Sequence, residues 1–164
     1  MAVSHSVILP VLLPFAAGVS LLLTGPQSTR TPAPGKLCGQ RRLSLTATVL
    51  MLPLAAMLLV TTANDNRLVY ALGNWPAPFG IVLVLDRLSA LMLLATSLVA
   101  LPTLWHAIVS DTDQQGQFFH PLFQFQLLGL NGAFLTGDLF NLFVFFEILL
   151  IASYGLLLHG GGPA

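Results

Sequence analysis

Glu147 is the residue whose position most constrains the chemistry. It stands in Phe143-Val144-Phe145-Phe146-Glu147-Ile148-Leu149-Leu150, inside an apolar stretch, residues 139–158, that carries no other charge. At the helical rise it lies about 13.5 Å from Asp138 and about 16.5 Å from Leu158, near the middle of a segment long enough to cross a bilayer. An acidic side chain at that depth costs about 2.5–3.5 kcal/mol to insert. A carboxyl held there can take a proton from one side and release it to the other, which makes a proton or cation site the first reading. The alternative is a protonated Glu making one interhelical hydrogen bond, which Gln or Ser would make at lower cost.

A second set of polar residues precedes it. On a helix over residues 118–137, Gln124 and Asn131 fall about 40° and 20° from His120, so the three form one stripe about 16.5 Å long. The stripe is either a hydrated path towards Glu147, running from one end of the span to the membrane centre, or a row of interhelical hydrogen bonds. Gln126 lies off it and faces another helix. His106 and His159 sit near span ends, where interfacial histidines are ordinary. Asp138, in the Thr136-Gly137-Asp138 connection, occupies an N-cap position and reads as a helix cap. No metal, phosphate or dinucleotide motif is present, and Cys38 is the single cysteine, so no cofactor or metal site is expected.

The elements that position these residues follow from composition. Of 164 residues, six are Lys or Arg and six are Asp or Glu, and mean hydropathy is +0.86. At 7% charge against about 25% for a soluble domain, the chain could not cover an aqueous surface. Lipid tolerates such an exterior, so the expected class is an all-α integral membrane protein forming a single membrane domain. With zero formal net charge and no basic run, nucleic acid is not an expected partner.

Five apolar stretches are long enough to span: residues 6–24, 43–62, 88–109, 118–137 and 139–158. The first lacks the basic flank and the small-residue cleavage site of a secretory signal, so it is read as a membrane helix. Its prolines, Pro10 and Pro14, are acceptable where neighbouring helices re-satisfy the freed backbone. Residues 25–42 read as a flexible polar loop with Arg30, Lys36, Arg41 and Arg42, which the positive-inside rule places in the cytoplasm, giving an N-out chain. The next inner loop holds Asp111 and Asp113. On the outer side, the apolar runs at 68–72 and 81–85 flank Gly73-Asn74-Trp75-Pro76. They suggest either a short hairpin with Tyr70 and Trp75 at headgroup level or an irregular interfacial loop.

The stretch NGAFLTGDLFNLFVFFEILLIASY, beginning at Asn131, is long and distinctive. With Gly73-Asn74-Trp75-Pro76-Ala77-Pro78-Phe79-Gly80 and Leu85-Asp86-Arg87-Leu88-Ser89, it resembles the D-type subunit family of the multisubunit Mrp-type monovalent cation/proton antiporters. That family belongs to the antiporter-like proton-translocating subunits that also occur in respiratory complex I. The resemblance covers most of residues 68–164, and the first two spans match only in hydrophobic character. It implies that the family's essential fifth-helix glutamate falls on Glu147, working with a lysine two helices later. It also implies other antiporter subunits as partners, H⁺ and Na⁺ or K⁺ as transported ions, and the bacterial inner membrane as location. None of the six basic residues lies in an expected span, so the resemblance is to the N-terminal third alone. Two other readings stay open: a proton-pumping subunit of an NADH–quinone oxidoreductase-like complex, and an inert or non-transporting membrane fragment.

Overall fold

A computed structural model describes residues 5–24, 34–63, 67–72, 80–116 and 118–160. Within them the chain forms α1 (Leu9–Thr24), α2 (Pro34–Thr61), β1 (Leu68–Ala71), β2 (Val82–Leu85) and α3 (Arg87–Val109). A short 3-10 turn (Thr112–Gln114), α4 (Phe119–Leu135) and α5 (Leu139–Leu157) complete it. Helices dominate because only internal hydrogen bonding satisfies the backbone of chains this apolar in lipid.

Among the described residues, Cys38–Thr61, Arg87–Val109 and Leu139–Leu157 are helices long and apolar enough to cross a membrane. The helices α1 and α4, with 16 and 17 residues, are shorter than the stretches expected from sequence. They reach about 24–26 Å, short of the ~30 Å of a typical hydrocarbon core. The start of α2 corrects the expected loop at 25–42: the helix begins at Pro34, so Arg41 and Arg42 are helical. Proline suits a first helical turn, and Lys, Gln and Arg are good helix formers. Hydropathy alone finds the apolar part of such a helix and misses its polar extension.

Pro14, Pro53 and Pro102 lie inside α1, α2 and α3. The consequence is visible at Pro14. It has no N–H to give the carbonyl four residues back, and that carbonyl, on Pro10, instead accepts from Asn131 Nδ2 at 2.9 Å.

α4 is the central element, packed most extensively on α5 and α1, while α2 packs on α3 and α1. Small residues permit the close α4–α5 approach. A Cβ on Gly129 would stand 2.8 Å from the Leu149 backbone nitrogen, and one on Gly132 would collide with the Phe145 ring. The strands pair antiparallel, Leu68 opposite Leu85 and Ala71 opposite Val82, which resolves the hairpin-or-loop alternative in favour of a hairpin. The connecting Gly73-Asn74-Trp75-Pro76 cluster lies outside the described residues. Leu83 and Leu85 point inward and join Val7, Ala55, Leu58, Leu93 and Leu135 in an apolar core at that end of the bundle. Gly137 N–H donates to Val82 O at 2.8 Å, so the α4–α5 turn lies against the same hairpin.

Candidate functional site

Glu147 is exposed on α5. Phe140, Phe143, Val144, Ile151, Tyr154 and Leu158 are exposed with it, at the helical spacings that place them on one face around it. The opposite side of α5 supplies Phe145, Leu149 and the buried Ala152 to the packing. The register fixes depth: Gly129 meets Leu149 and Gly132 meets Phe145, so Glu147 is level with Leu130 and Asn131 of α4. An acidic side chain thus stands midway along α5 in an apolar stripe that no described residue covers, and lipid would be a poor solvent for it.

The His120, Gln124 and Asn131 stripe is fully buried and faces elsewhere. Gln124 Nε2 lies within 3.0–3.2 Å of Ser44 Oγ, Ser44 O and Thr48 Oγ1 of α2. Asn131 Nδ2 bonds the Pro10 carbonyl of α1. Gly129 and Gly132, which receive α5, fall on the other side of α4 at about 180° and 120° from His120. Asn131 is therefore level with Glu147, but the stripe and the carboxyl are not brought together. Gln126 lines an apolar cleft of about 400 Å³ between α3 and α4, with Met92, Thr96, Val99 and Phe134.

One cluster was missed from sequence. Asp113, whose side chain is fully buried, accepts from Arg41 Nε at 2.6 Å and Arg41 Nη2 at 2.7 Å. Its Oδ2 also lies 3.1 Å from His120 Nε2. Arg41 Nη2 donates to Asp111 Oδ1 at 2.7 Å as well. Asp111 takes a left-handed backbone (φ 52°), tolerable for Asp, and this bend brings both carboxylates to Arg41. The Arg41 hydrogen bond, then that of Gln114, holds the Asp111 carboxyl below its ordinary value. The end of α5 closes the cluster: His159 Nε2 lies 3.0 Å from Thr112 O, and its ring packs on Phe119. Assigning residues 25–42 and 110–117 to one membrane side was the available signal; pairing Arg41 with Asp113 needed the helical start of α2.

Two aspartates cap helices. Asp138 Oδ1 accepts from Asn141 N–H at 2.7 Å at the start of α5, and Asp86 Oδ1 accepts from Ser89 N–H at 2.7 Å at the start of α3. These backbone bonds, first among their surroundings, hold both carboxyls below the usual range. Among the described residues no group of three or more His, Cys, Asp or Glu side chains could hold a metal ion.

No family model matches the chain. It is 51% identical over 162 residues to a probable K⁺/H⁺ antiporter D-type subunit of Rhizobium meliloti (strain 1021), covering 97% of this chain and 29% of that protein. It is 43% identical over 159 residues to the Na⁺/H⁺ antiporter D-type subunit of Alkalihalophilus pseudofirmus, covering 96% and 30%. The chain therefore spans about three tenths of the length of the curated relatives it matches. Among solved structures, the Mrp complex from Dietzia sp. DQ12-45-1b superposes with a TM-score of 0.78 at 31% identity, over 96% of this chain and 28% of that one. A chain of the membrane-bound sulfane sulfur reductase, an archaeal respiratory membrane complex, superposes at 0.75 with 25% identity, over 91% and 29%. In sequence and in fold alike, this membrane chain is related to the D-type subunits of the multisubunit Mrp-type monovalent cation/proton antiporters, of which it matches the N-terminal portion.

Proposed function

We propose that this chain forms the N-terminal part of a subunit of a multisubunit Na⁺(K⁺)/H⁺ antiporter in the bacterial inner membrane, and that Glu147 is its proton- or cation-exchanging group. It acts as part of a secondary transporter, together with other subunits of the complex. The observation that carries this reading is the placement of Glu147 at mid-depth, at the centre of an apolar face that no described residue covers. Packing glue would turn the carboxyl towards α4, where α5 is already held by glycine contacts. An uncovered face with one central carboxyl suits contact with further helices that supply its partner. The Mrp and respiratory-complex structures superpose comparably on this chain, so a proton-pumping subunit of a respiratory complex is the second reading.

The reading includes five spans with the N-terminus outside. Its support is the Arg41–Asp111–Asp113 cluster, which ties the start of α2 to the α3–α4 connection at one end. The hairpin and the α4–α5 turn meet at the other. The basic end would be cytoplasmic. The test is cation-dependent proton flux in everted membrane vesicles containing the assembled complex. Glu147→Gln is expected to abolish exchange while Glu147→Asp retains part of it; full exchange in Glu147→Gln removes the proposal.

A further inference from the structure

The hairpin has a second edge, and the backbone of β2 decides what it offers. Leu72 N–H donates to Ile81 O at 2.9 Å, so these two residues form a hydrogen-bonded pair of the antiparallel ladder. The next pair, Ala71 with Val82, is then a non-hydrogen-bonded one, and Val82 turns its own N–H and C=O away from β1. The α4–α5 turn lies on that side. Gly137 N–H donates to Val82 O at 2.8 Å, and Leu83 bridges antiparallel to Thr136. Thr136 and Asp138 are both extended (ψ 138° and 153°), so the turn runs along β2 like a short third strand. Glycine permits the approach: a Cβ on Gly137 would stand 2.7 Å from Val84 Cγ2.

Asp138 joins this edge to the helix. Its Oδ1 accepts from Asn141 N–H at 2.7 Å and its Oδ2 from Asn141 Nδ2, both in the first turn of α5. Asn141 N–H first, and Val82 N–H as well, favour the charged carboxylate. One side chain therefore ties the start of α5 to the strand, and the strand is a fixed reference. Leu83 and Leu85 are seated among Ala55 and Leu58 of α2, Leu93 of α3 and Leu135 of α4, and Phe145 of α5 packs on the same core. What depends on this start is the place of Glu147, nine residues on. Beginning α5 one residue earlier or later would move the carboxyl about 1.5 Å in depth and about 100° in direction, off the centre of the uncovered face.

We propose that Asp138 is a positioning residue for Glu147, holding α5 to the edge of β2 so that the hairpin sets the depth and direction of the exchanging carboxyl. An N-cap needs one acceptor oxygen, which Asn also supplies. The carboxylate offers two, and Asn141 Nδ2 takes the second. Asp138→Asn thus keeps the cap, sets an NH₂ against the Asn141 amide and removes the charge that Val82 N–H faces. The consequence for transport rests on Glu147 being the exchanging group; the hold on α5 does not.

The test compares the pH profile of cation/proton exchange, per folded complex, in the unaltered assembly and in Asp138→Asn. Displacement of the carboxyl is expected to slow exchange by roughly 10–10²-fold and to move the midpoint of the profile. A midpoint that stays in place, whatever the rate, overturns the positioning role, since a cap alone survives in Asn. Gly137→Val presses the turn off β2 without touching the cap and is expected to move the midpoint as well. A structure of the Asp138→Asn complex reads the same claim without transport: α5 is expected to have moved relative to β2, and an α5 that superposes on the unaltered one through Glu147 overturns the proposal. If Glu147→Gln exchanges at the full rate while Asp138→Asn displaces α5, the Glu147 reading falls and the hold on α5 stands. If Glu147→Gln is inactive while Asp138→Asn leaves α5 and the profile unaltered, the positioning role falls and the Glu147 reading stands.

Discussion

Helices α4 and α5 are neighbours joined by Thr136-Gly137-Asp138, and they handle polar side chains in opposite ways. α4 turns His120, Gln124 and Asn131 inward, where Asp113, Ser44, Thr48 and the Pro10 carbonyl meet them. α5 turns Glu147 outward and packs closely on α4 at Gly129 and Gly132. The inward groups are satisfied by partners within the bundle, whereas Glu147 is left off the packing face; on the proposed reading it is available there for exchange. Substitutions on the two helices should therefore separate stability from transport.

The largest loss of stability is expected at the inward cluster. Arg41→Ala leaves the buried Asp113 with His120 alone, and breaking a buried pair costs about 3–5 kcal/mol, with the low end expected because one partner remains. Thermal unfolding of the assembled complex measures it. Asp111→Ala, at the exposed rim of the same cluster, should move the transition little. Equal effects of the two would mean that Asp113 is not the centre of the cluster.

Gly132→Leu tests the shape contact between the helices. The added side chain meets the Phe145 ring, and overpacking of this kind costs about 1–3 kcal/mol. A neutral result would show that α5 is held elsewhere. Asp138→Ala removes the cap of α5 and should cost about 1 kcal/mol, while Asp138→Asn keeps the cap. The sign with pH follows from the lowered carboxyl. Its contribution is present above the unfolded aspartate value, about 3.9, and is lost as pH falls through the lower folded value. Melting temperature should drop less on acidification in Asp138→Asn than in the unaltered protein.

Sequence reading reached the membrane class, the cap at Asp138 and the place of Glu147 midway along its helix, because each rests on local pattern or helical rise; at residues 68–85 it left hairpin and irregular loop open, and the strand pairing decides for the hairpin. It also placed His120, Gln124 and Asn131 on one face. It could not say which neighbour that face meets, since a stripe fixes relative angles on one helix and leaves the rotation of the helix in the bundle open. The glycines decide the rotation: Gly129 and Gly132 admit α5 on their side and send the polar stripe towards α1 and α2. The Arg41–Asp113 pair was hidden for a different reason. Its partners are 72 residues apart, and the helical turns that carry Arg41 are too polar for hydropathy to find.

The smallest stability change and the largest functional one are expected from the same substitution. Glu147→Gln alters an exposed side chain. Measured on one preparation of the assembled complex, its melting temperature should match that of the unaltered protein while cation/proton exchange is lost. Retained exchange at the full rate, or loss of exchange together with loss of the folded complex, would contradict the assignment of Glu147 as the exchanging carboxyl.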